Sequence, residues 1–333
     1  MQTATVAVLT AISEDEVHRL LAAYGLGNLC TLDGLPGGSV NSNFRVTCAS
    51  EAGERQVFLR LYEERDLAGA GREAAMLRRL AMAGVPTPAP LPRLDGALVS
   101  VARGKPAAFL PWCDGGMRCQ AAVDVDAARQ VGEALARVHL AGRDEECERG
   151  RFRFDDLGSR LDRVAESGHP QFAPLVPWLR ARLTGAHHAR DPQLPSGLVH
   201  GDLFRDNVLW HPAGGIAALL DFESACEGTY AYDLMVTTLS WCFGDDLEPR
   251  LACAMREGYE RVRPLSEAEK RGLHAEAVFA AMRFTITRIT DFAMREATPG
   301  PRIVKDWKRF MKRFDTLEEV GSEGLRRAVG AMG

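Results

Sequence analysis

The sequence predicts an α+β chain in two lobes, a small antiparallel-sheet part over residues 1–112 and a mainly helical part over 113–333. Three observations carry this reading. Short runs at 29–35, 43–48 and 56–62, separated by Pro- and Gly-rich turn signals, have the length and alternation of strands. Beyond Val123, apolar residues recur at helical spacing. Inside the helical part, two brief apolar runs around Val199 and Leu220 are too short for helices, and each leads to a carboxylate, Asp202 and Asp221.

Taken in order, Ser13 and Glu16 form a capping box for a helix carrying Val17, Leu20 and Leu21, which Gly25 and Gly27 end. Turns at Pro36-Gly37-Gly38 and Glu51-Ala52-Gly53-Glu54 then divide the first strands. In the third, Val57, Leu59 and Leu61 form one face and Phe58 and Arg60 the other. A helix is predicted over 71–83 from Glu73, Met76, Leu77 and Leu80, and Gly84 with the prolines after it breaks it. Two strands are predicted around 91–94 and 97–101, and a last one over 107–112.

In the second part, Ala127, Val131, Leu135 and Val138 mark one face of a helix over 123–140. His139, near its end, is read as a packed, hydrogen-bonded histidine rather than a base or ligand. A charged loop over 143–153 and two helical stretches lead to a turn over 192–197. His187-His188 is read as a solvated bend, because adjacent helical residues face different ways. A helix over 230–243 follows, and a cap at Ser266 opens another through about Phe292.

With 46% hydrophobic and 26% charged residues, the chain is an ordinary globular one, long enough for about two lobes. A net charge of -4, from 45 acids and 41 bases, gives no electrostatic footprint for nucleic acid or an anionic membrane. No apolar run reaches the roughly 20 residues of a membrane span, and Met1-Gln2-Thr3 lacks the basic start of a signal peptide, so a cytoplasmic location is expected. The eight cysteines include no C-x-x-C pair and are read as reduced and mostly buried.

The chemistry lies in His200-Gly201-Asp202-Leu203-Phe204-Arg205-Asp206-Asn207, followed by Asp221-Phe222. This is the kinase catalytic-loop spacing H-x-D-L-x-x-x-N, with an acid where the metal-binding D-F-G aspartate stands. Phosphoryl transfer from a nucleotide to an alcohol is mostly positioning and charge neutralisation. Asp202 suits the carboxylate that orients or deprotonates the hydroxyl, while Asn207 and Asp221 suit the oxygen donors that hold a hard divalent cation. The competing reading, a capped turn and an ordinary strand end, needs the order of all three to be accidental. His200 and Asp233 are read as supports of the loop, although Asp233 is also an ordinary acid of a first helical turn.

A nucleotide would need local contacts. Gly38, Ser39, Asn41 and Asn43 form a turn that either lays N–H groups and small polar groups over phosphates or is a plain hairpin. The first lysine is Lys105, so the third strand offers only Arg60 as a phosphate-binding cation; it is otherwise a surface arginine. Glu73 either anchors that cation or makes a local contact with Arg72. The strand edge carrying Leu110 and Trp112 can pair its backbone with an adenine ring. Arg283, Thr287 and Asp291, spaced by four, either recognise a zwitterion together or form a salt-bridged outer face with Arg288 and Arg295. Arg283 and Arg288 favour an acceptor bearing a carboxylate.

The run from His200 through Asn207, with Asp221-Phe222 and Tyr232-Asp233, resembles the aminoglycoside phosphotransferase and choline kinase superfamily, whose members share a two-lobed protein-kinase-like fold. Val40-Asn41-Ser42-Asn43-Phe44, Leu61-Tyr62-Glu63, Ser240-Trp241-Cys242-Phe243, Val262-Arg263-Pro264-Leu265-Ser266 and the run from Arg283 to Arg288 are most similar to the homoserine kinases of that group. The resemblance implies ATP- and Mg2+-dependent phosphorylation of the L-homoserine hydroxyl, a step toward threonine. By it, Asp202 is the base, Asn207 and Asp221 hold magnesium, the turn from Gly38 to Asn43 lies over the phosphates, and Glu223 borders the acceptor pocket. Gly201 stands where those enzymes usually carry alanine, a change expected to matter little to the backbone. Two readings remain beside it: a kinase of another alcohol such as choline, ethanolamine or an aminoglycoside, and a nucleotide-binding pseudokinase without turnover.

Overall fold

The structure is a computed structural model that describes residues 9–35, 40–294 and 305–332. The chain divides into two compact units, residues 1–115 and 116–333.

The first unit opens with α1 (Glu14–Tyr24), started by the Ser13–Glu16 capping box and stopped by Gly25 at φ 63°. It continues through β1 (Asn28–Gly34), β2 (Ser42–Ser50), β3 (Gly53–Leu61), α2 (Leu67–Met82), β4 (Ser100–Ala102) and β5 (Lys105–Pro111). The strands form one antiparallel sheet in the order β1-β2-β3-β5-β4. Val57, Leu59 and Leu61 of β3 join Phe44, Val46 and Phe109 in a core that α1 covers with Val17, Leu20 and Leu21. Period-2 burial on β3 follows, with the opposite face left to Phe58 and Arg60.

Three predicted elements are corrected here. The helix expected over 71–83 begins at Leu67, because the Asp66 side chain caps it by accepting from Gly69 N at 2.7 Å. Residues 91–94 form no strand: Pro92 has no N–H to give a ladder, Leu91 N makes a single bond to Phe109 O, and what remains is a turn with Arg93 N bonded to Ala97 O. The strand predicted over 97–101 shrinks to β4.

The second unit contains α3 (Val125–Ala141), α4 (Phe154–Glu166), α5 (Val176–His188), β6 (Ser196–Val199), β7 (Val208–Trp210), β8 (Ile216–Leu219), β9 (Cys226–Thr229), α6 (Tyr230–Trp241), α7 (Pro249–Val262), α8 (Glu267–Arg288) and α9 (Lys308–Ala328). The short strands pair as two antiparallel ribbons, β6 with β9 and β7 with β8. Helix α3 lies so close to α7 that a Cβ on Gly132 would meet Met255 O at 2.0 Å, which is why glycine stands there. Helix α6 is buried along nearly its whole length, so its sequence is largely apolar on every side, and Asp233, Thr237 and Thr238 find internal hydrogen-bond partners. Helix α8 begins at the predicted Ser266 box, but gives way at Arg288 to a π-helical turn over Ile289–Ala293.

His187 and His188 close α5 rather than forming a bend, and His187 stacks on Phe154 at 4.3 Å. All eight cysteines are free, yet only Cys48 and Cys242 are buried, which corrects the expectation that most would be. No helix among the described residues is long and apolar enough to cross a membrane.

Candidate active site

Strand β6 ends in His200, and the chain turns through Gly201 and Asp202 into a short helical turn, Arg205–Asn207, before β7. The loop is stitched to its own ends. Asn207 Nδ2 donates to Asp202 O at 2.8 Å, Leu220 N donates to Asn207 O at 2.8 Å, and His200 Nε2 donates to Leu220 O at 3.0 Å. These bonds join the segment holding Asp202 and Asn207 to the end of β8, where Asp221 follows. The Asn207 bond turns its amide nitrogen inward and leaves its oxygen as the end suited to a cation.

Asp221 is one of two non-glycine residues with positive φ among the described residues, at φ 60° and ψ 63°. Such left-handed geometry in a non-glycine residue is strained, by roughly 1–3 kcal/mol, and needs surroundings that hold it. Its Oδ1 is buried without a hydrogen-bond partner among the described residues. A buried carboxylate oxygen left unsatisfied is costly, and a cation is its natural complement. No trio of His, Cys, Asp or Glu among the described residues forms a closed metal cage. One carboxylate and one amide oxygen therefore fit a hard ion that takes its other ligands from water and phosphate, as Mg2+ does.

Asp202 keeps 21% of its side-chain surface exposed, and its Oδ1 lies 3.6 Å from Arg283 Nη1. Burial raises its pKa above the usual carboxylate value, Arg283 and Lys305 pull it back, and Asp221 pushes it up again, leaving a net rise.

Beneath the loop, Asp233 is completely buried on α6 and accepts from His200 N at 2.7 Å and Gly201 N at 2.8 Å. His139 Nε2 donates to the same carboxylate at 3.0 Å, while His139 Nδ1 accepts from the Tyr259 hydroxyl at 2.7 Å. Tyr259 in turn accepts from Arg263, which pairs with Glu269 at 2.8 Å. Burial holds His139 neutral, the state this donor pattern requires, and the hydrogen bonds to Asp233 outweigh its own burial and keep its pKa below the usual range. His139 is thus the packed histidine expected, and Asp233 holds the backbone of the loop.

Gly201 sits at φ 74°, and a Cβ there would lie 2.9 Å from Ser224 O. The expectation that the residue type matters little here is corrected. Replacement by alanine should cost about 1–2 kcal/mol in a urea melt, from left-handed strain; an unshifted midpoint would show that the loop absorbs the methyl group.

The acceptor candidates separate. Arg283 is 3% exposed and turns to the loop, donating to Gly201 O at 3.4 Å as well as facing Asp202. Asp291 instead pairs with Arg160 of α4, and Thr287 bonds Phe284 O, so the three residues spaced by four do not act together. Arg288 donates to Asp306 O at 2.8 Å rather than to Asp291, and Arg295 lies outside the described residues. Glu223 sits in the helical turn after Asp221, partly exposed. A cavity of about 670 Å3 is lined by Gly201, Ser224, Cys226, Tyr232 and Arg283, and by none of Asp202, Asn207 and Asp221.

The nucleotide candidates lie in the first unit. Gly38 and Ser39 fall outside the described residues. Asn41 Oδ1 accepts from Glu63 N at 3.1 Å, and Asn43 is paired across the sheet with Arg60. Arg60 meets Glu73 at 3.5 Å, and Arg65, which the sequence reading missed, meets the same carboxylate at 2.9 Å. Leu110 is buried opposite Phe58, and Trp112 Nε1 donates to Asp114 at 3.1 Å.

Comparison with known proteins agrees with this architecture. The phosphotransferase enzyme family model matches residues 31–265. A homoserine kinase of Agrobacterium fabrum is 32% identical over 96% of this chain and 99% of its own. A homoserine kinase of Rhodospirillum rubrum is 36% identical over 98% of both. An amicoumacin kinase solved with AMP-PNP and Ca2+ shares the fold, with a TM-score of 0.68 at 15% identity over 92% of this chain and 94% of that one. The chain belongs to the phosphotransferase enzyme family and has its protein-kinase-like fold.

Proposed function

We propose that this protein transfers the γ-phosphoryl group of ATP to the side-chain hydroxyl of L-homoserine, yielding O-phospho-L-homoserine and ADP, in the cytoplasm. The observation that carries the reaction type is the loop in which Asn207 is tied to Asp202 while Asp221 holds a buried, unsatisfied oxygen. Support for the acceptor comes from relatives named homoserine kinase that align with nearly the whole chain.

In this reading Asp202 orients the acceptor hydroxyl and takes its proton as the oxygen attacks in line. Arg283 keeps Asp202 ionised and fixes its direction through the contact at 3.6 Å. Asn207 and Asp221 would hold Mg2+, which when bound neutralises charge on the phosphates. Asn41, Asn43 and Arg60, together with Gly38 and Ser39, would bind the phosphates, Glu73 would hold Arg60, and the edge at Leu110 and Trp112 would take the adenine. Glu223 would border the acceptor. An aminoglycoside would call for acids around Asp202; Arg283 and Lys305 act on it more strongly than the acid Asp221 does.

An ADP-release assay with L-homoserine, choline, ethanolamine and kanamycin tests the assignment. Homoserine should give the largest rate over the acceptor-free blank. A larger rate with another alcohol would replace the acceptor, and Mg-ATP binding without release on any of them would mark a silent nucleotide-binding protein.

A further inference from the structure

Two arginines share one aromatic ring beside the catalytic loop. Arg313 of α9 is only 6% exposed, and its guanidinium stands 4.3 Å from the centre of Phe310 and 5.4 Å from that of Phe243. It makes no ion pair among the described residues, and its Nε is buried without a partner. Arg288 of α8 stands 4.5 Å from the same Phe310 ring, and its Nε is likewise buried and unpartnered. Phe310 packs on Phe284 at 4.7 Å and approaches Phe204, two residues from Asp202, at 6.0 Å.

This is an expensive arrangement for a fold to keep. A buried guanidinium without a counter-charge loses hydration that its contacts with the Phe310 and Phe243 rings repay only in part. Burial and the neighbouring charges of Arg288, Arg309 and Arg205 push the Arg313 pKa down to about 9. Burial lowers Arg288 to about 10, with Asp202 the acid that most opposes the fall. An arginine does not release its proton at neutral pH, so the repulsion persists until an anion relieves it. Two planar forks on one ring suit a carboxylate, which accepts paired N–H bonds.

We propose that Arg313 and Arg288 bind the carboxylate of the phosphoryl acceptor, with the acceptor hydroxyl directed to Asp202. The inference rests on the homoserine reading above and adds the residues that recognise an amino acid rather than a simple alcohol. Arg313→Met keeps the aliphatic packing on Phe310 and removes the charge. The KM for L-homoserine should rise tenfold to a hundredfold, as expected for loss of a charged hydrogen bond, and Arg313→Lys should recover part of it. The loss in kcat/KM should be at least roughly tenfold smaller with 3-aminopropan-1-ol, which is homoserine without its carboxylate. The melting temperature of Arg313→Met should rise, because an unpaired buried charge has gone.

An unchanged homoserine KM, an equal loss with both acceptors, or a rise in the KM for ATP instead would overturn the proposal; the last would assign the arginines to nucleotide phosphate. Calorimetric titration of L-homoserine into the nucleotide-free protein separates this inference from the reaction. Weakened binding in Arg313→Met beside an unchanged protein that turns over no homoserine would remove the phosphotransfer reading and keep the carboxylate site. Normal turnover with equal binding by both proteins would remove the carboxylate site alone.

Discussion

Asp202→Ala is expected to lower turnover by two to four orders of magnitude, the usual worth of a positioned base, while Mg-ATP affinity changes by less than about twofold. The substitution removes the only carboxylate that Arg283 faces in the loop and leaves Asn207 bonded to a backbone carbonyl, which alanine retains. The loss should therefore fall on kcat. The pH profile supplies a second signature. Because burial holds the Asp202 pKa above 3.8, the acid limb of kcat/KM should lie above that value. Arg283 lowers the Asp202 pKa, so Arg283→Met should move the limb to still higher pH. Turnover that survives Asp202→Ala would remove this residue from the chemistry.

Asp233→Ala should cost about 3–5 kcal/mol in stability, because deleting one member of a buried charged network strands the others. Here the stranded groups are the N–H of His200, the N–H of Gly201 and the His139 ring. The same residues carry Asp202, so turnover should fall with stability even at temperatures where the variant stays folded. The sign with pH is fixed: the folded-state pKa of Asp233 is lowered, so its contribution is complete above the unfolded value near 4 and disappears as pH falls through the lower folded one. Between pH 5 and 8 the urea midpoint should owe no pH dependence to this group. A loss below about 1 kcal/mol with unchanged kcat would show that the loop holds its shape without the brace.

What the sequence disclosed and what it hid divides by distance along the chain. The capping boxes at Ser13 and Ser266 were legible because partner and cap are three residues apart. The order Asp202, Asn207, Asp221 was legible because a fixed loop sets that spacing, whereas Asp233 read equally as an ordinary acid of a first helical turn, and its role as a brace shows only in its bonds to His200 and Gly201. The start of α2 was obscured by Gly69, which argues against a helix that Asp66 nevertheless caps. The pairing of Asp291 with Arg160 spans the contact of α8 with α4, and no local pattern announces it. Arg313 looked like any charged residue of an amphipathic helix; only the groups brought over it from elsewhere, Phe243 and the α8 residue Phe284 packed on Phe310, mark it as buried. The left-handed backbone at Gly201 and Asp221 is likewise a property of the closed loop.

Phosphorus NMR of the purified protein with ATP, Mg2+ and L-homoserine tests the central claim most directly. A phosphomonoester resonance should grow in step with ADP, one for one, and should be missing from the same mixture with Asp202→Ala. ADP accompanied only by inorganic phosphate, or no change in the ATP resonances, would contradict transfer to the homoserine hydroxyl.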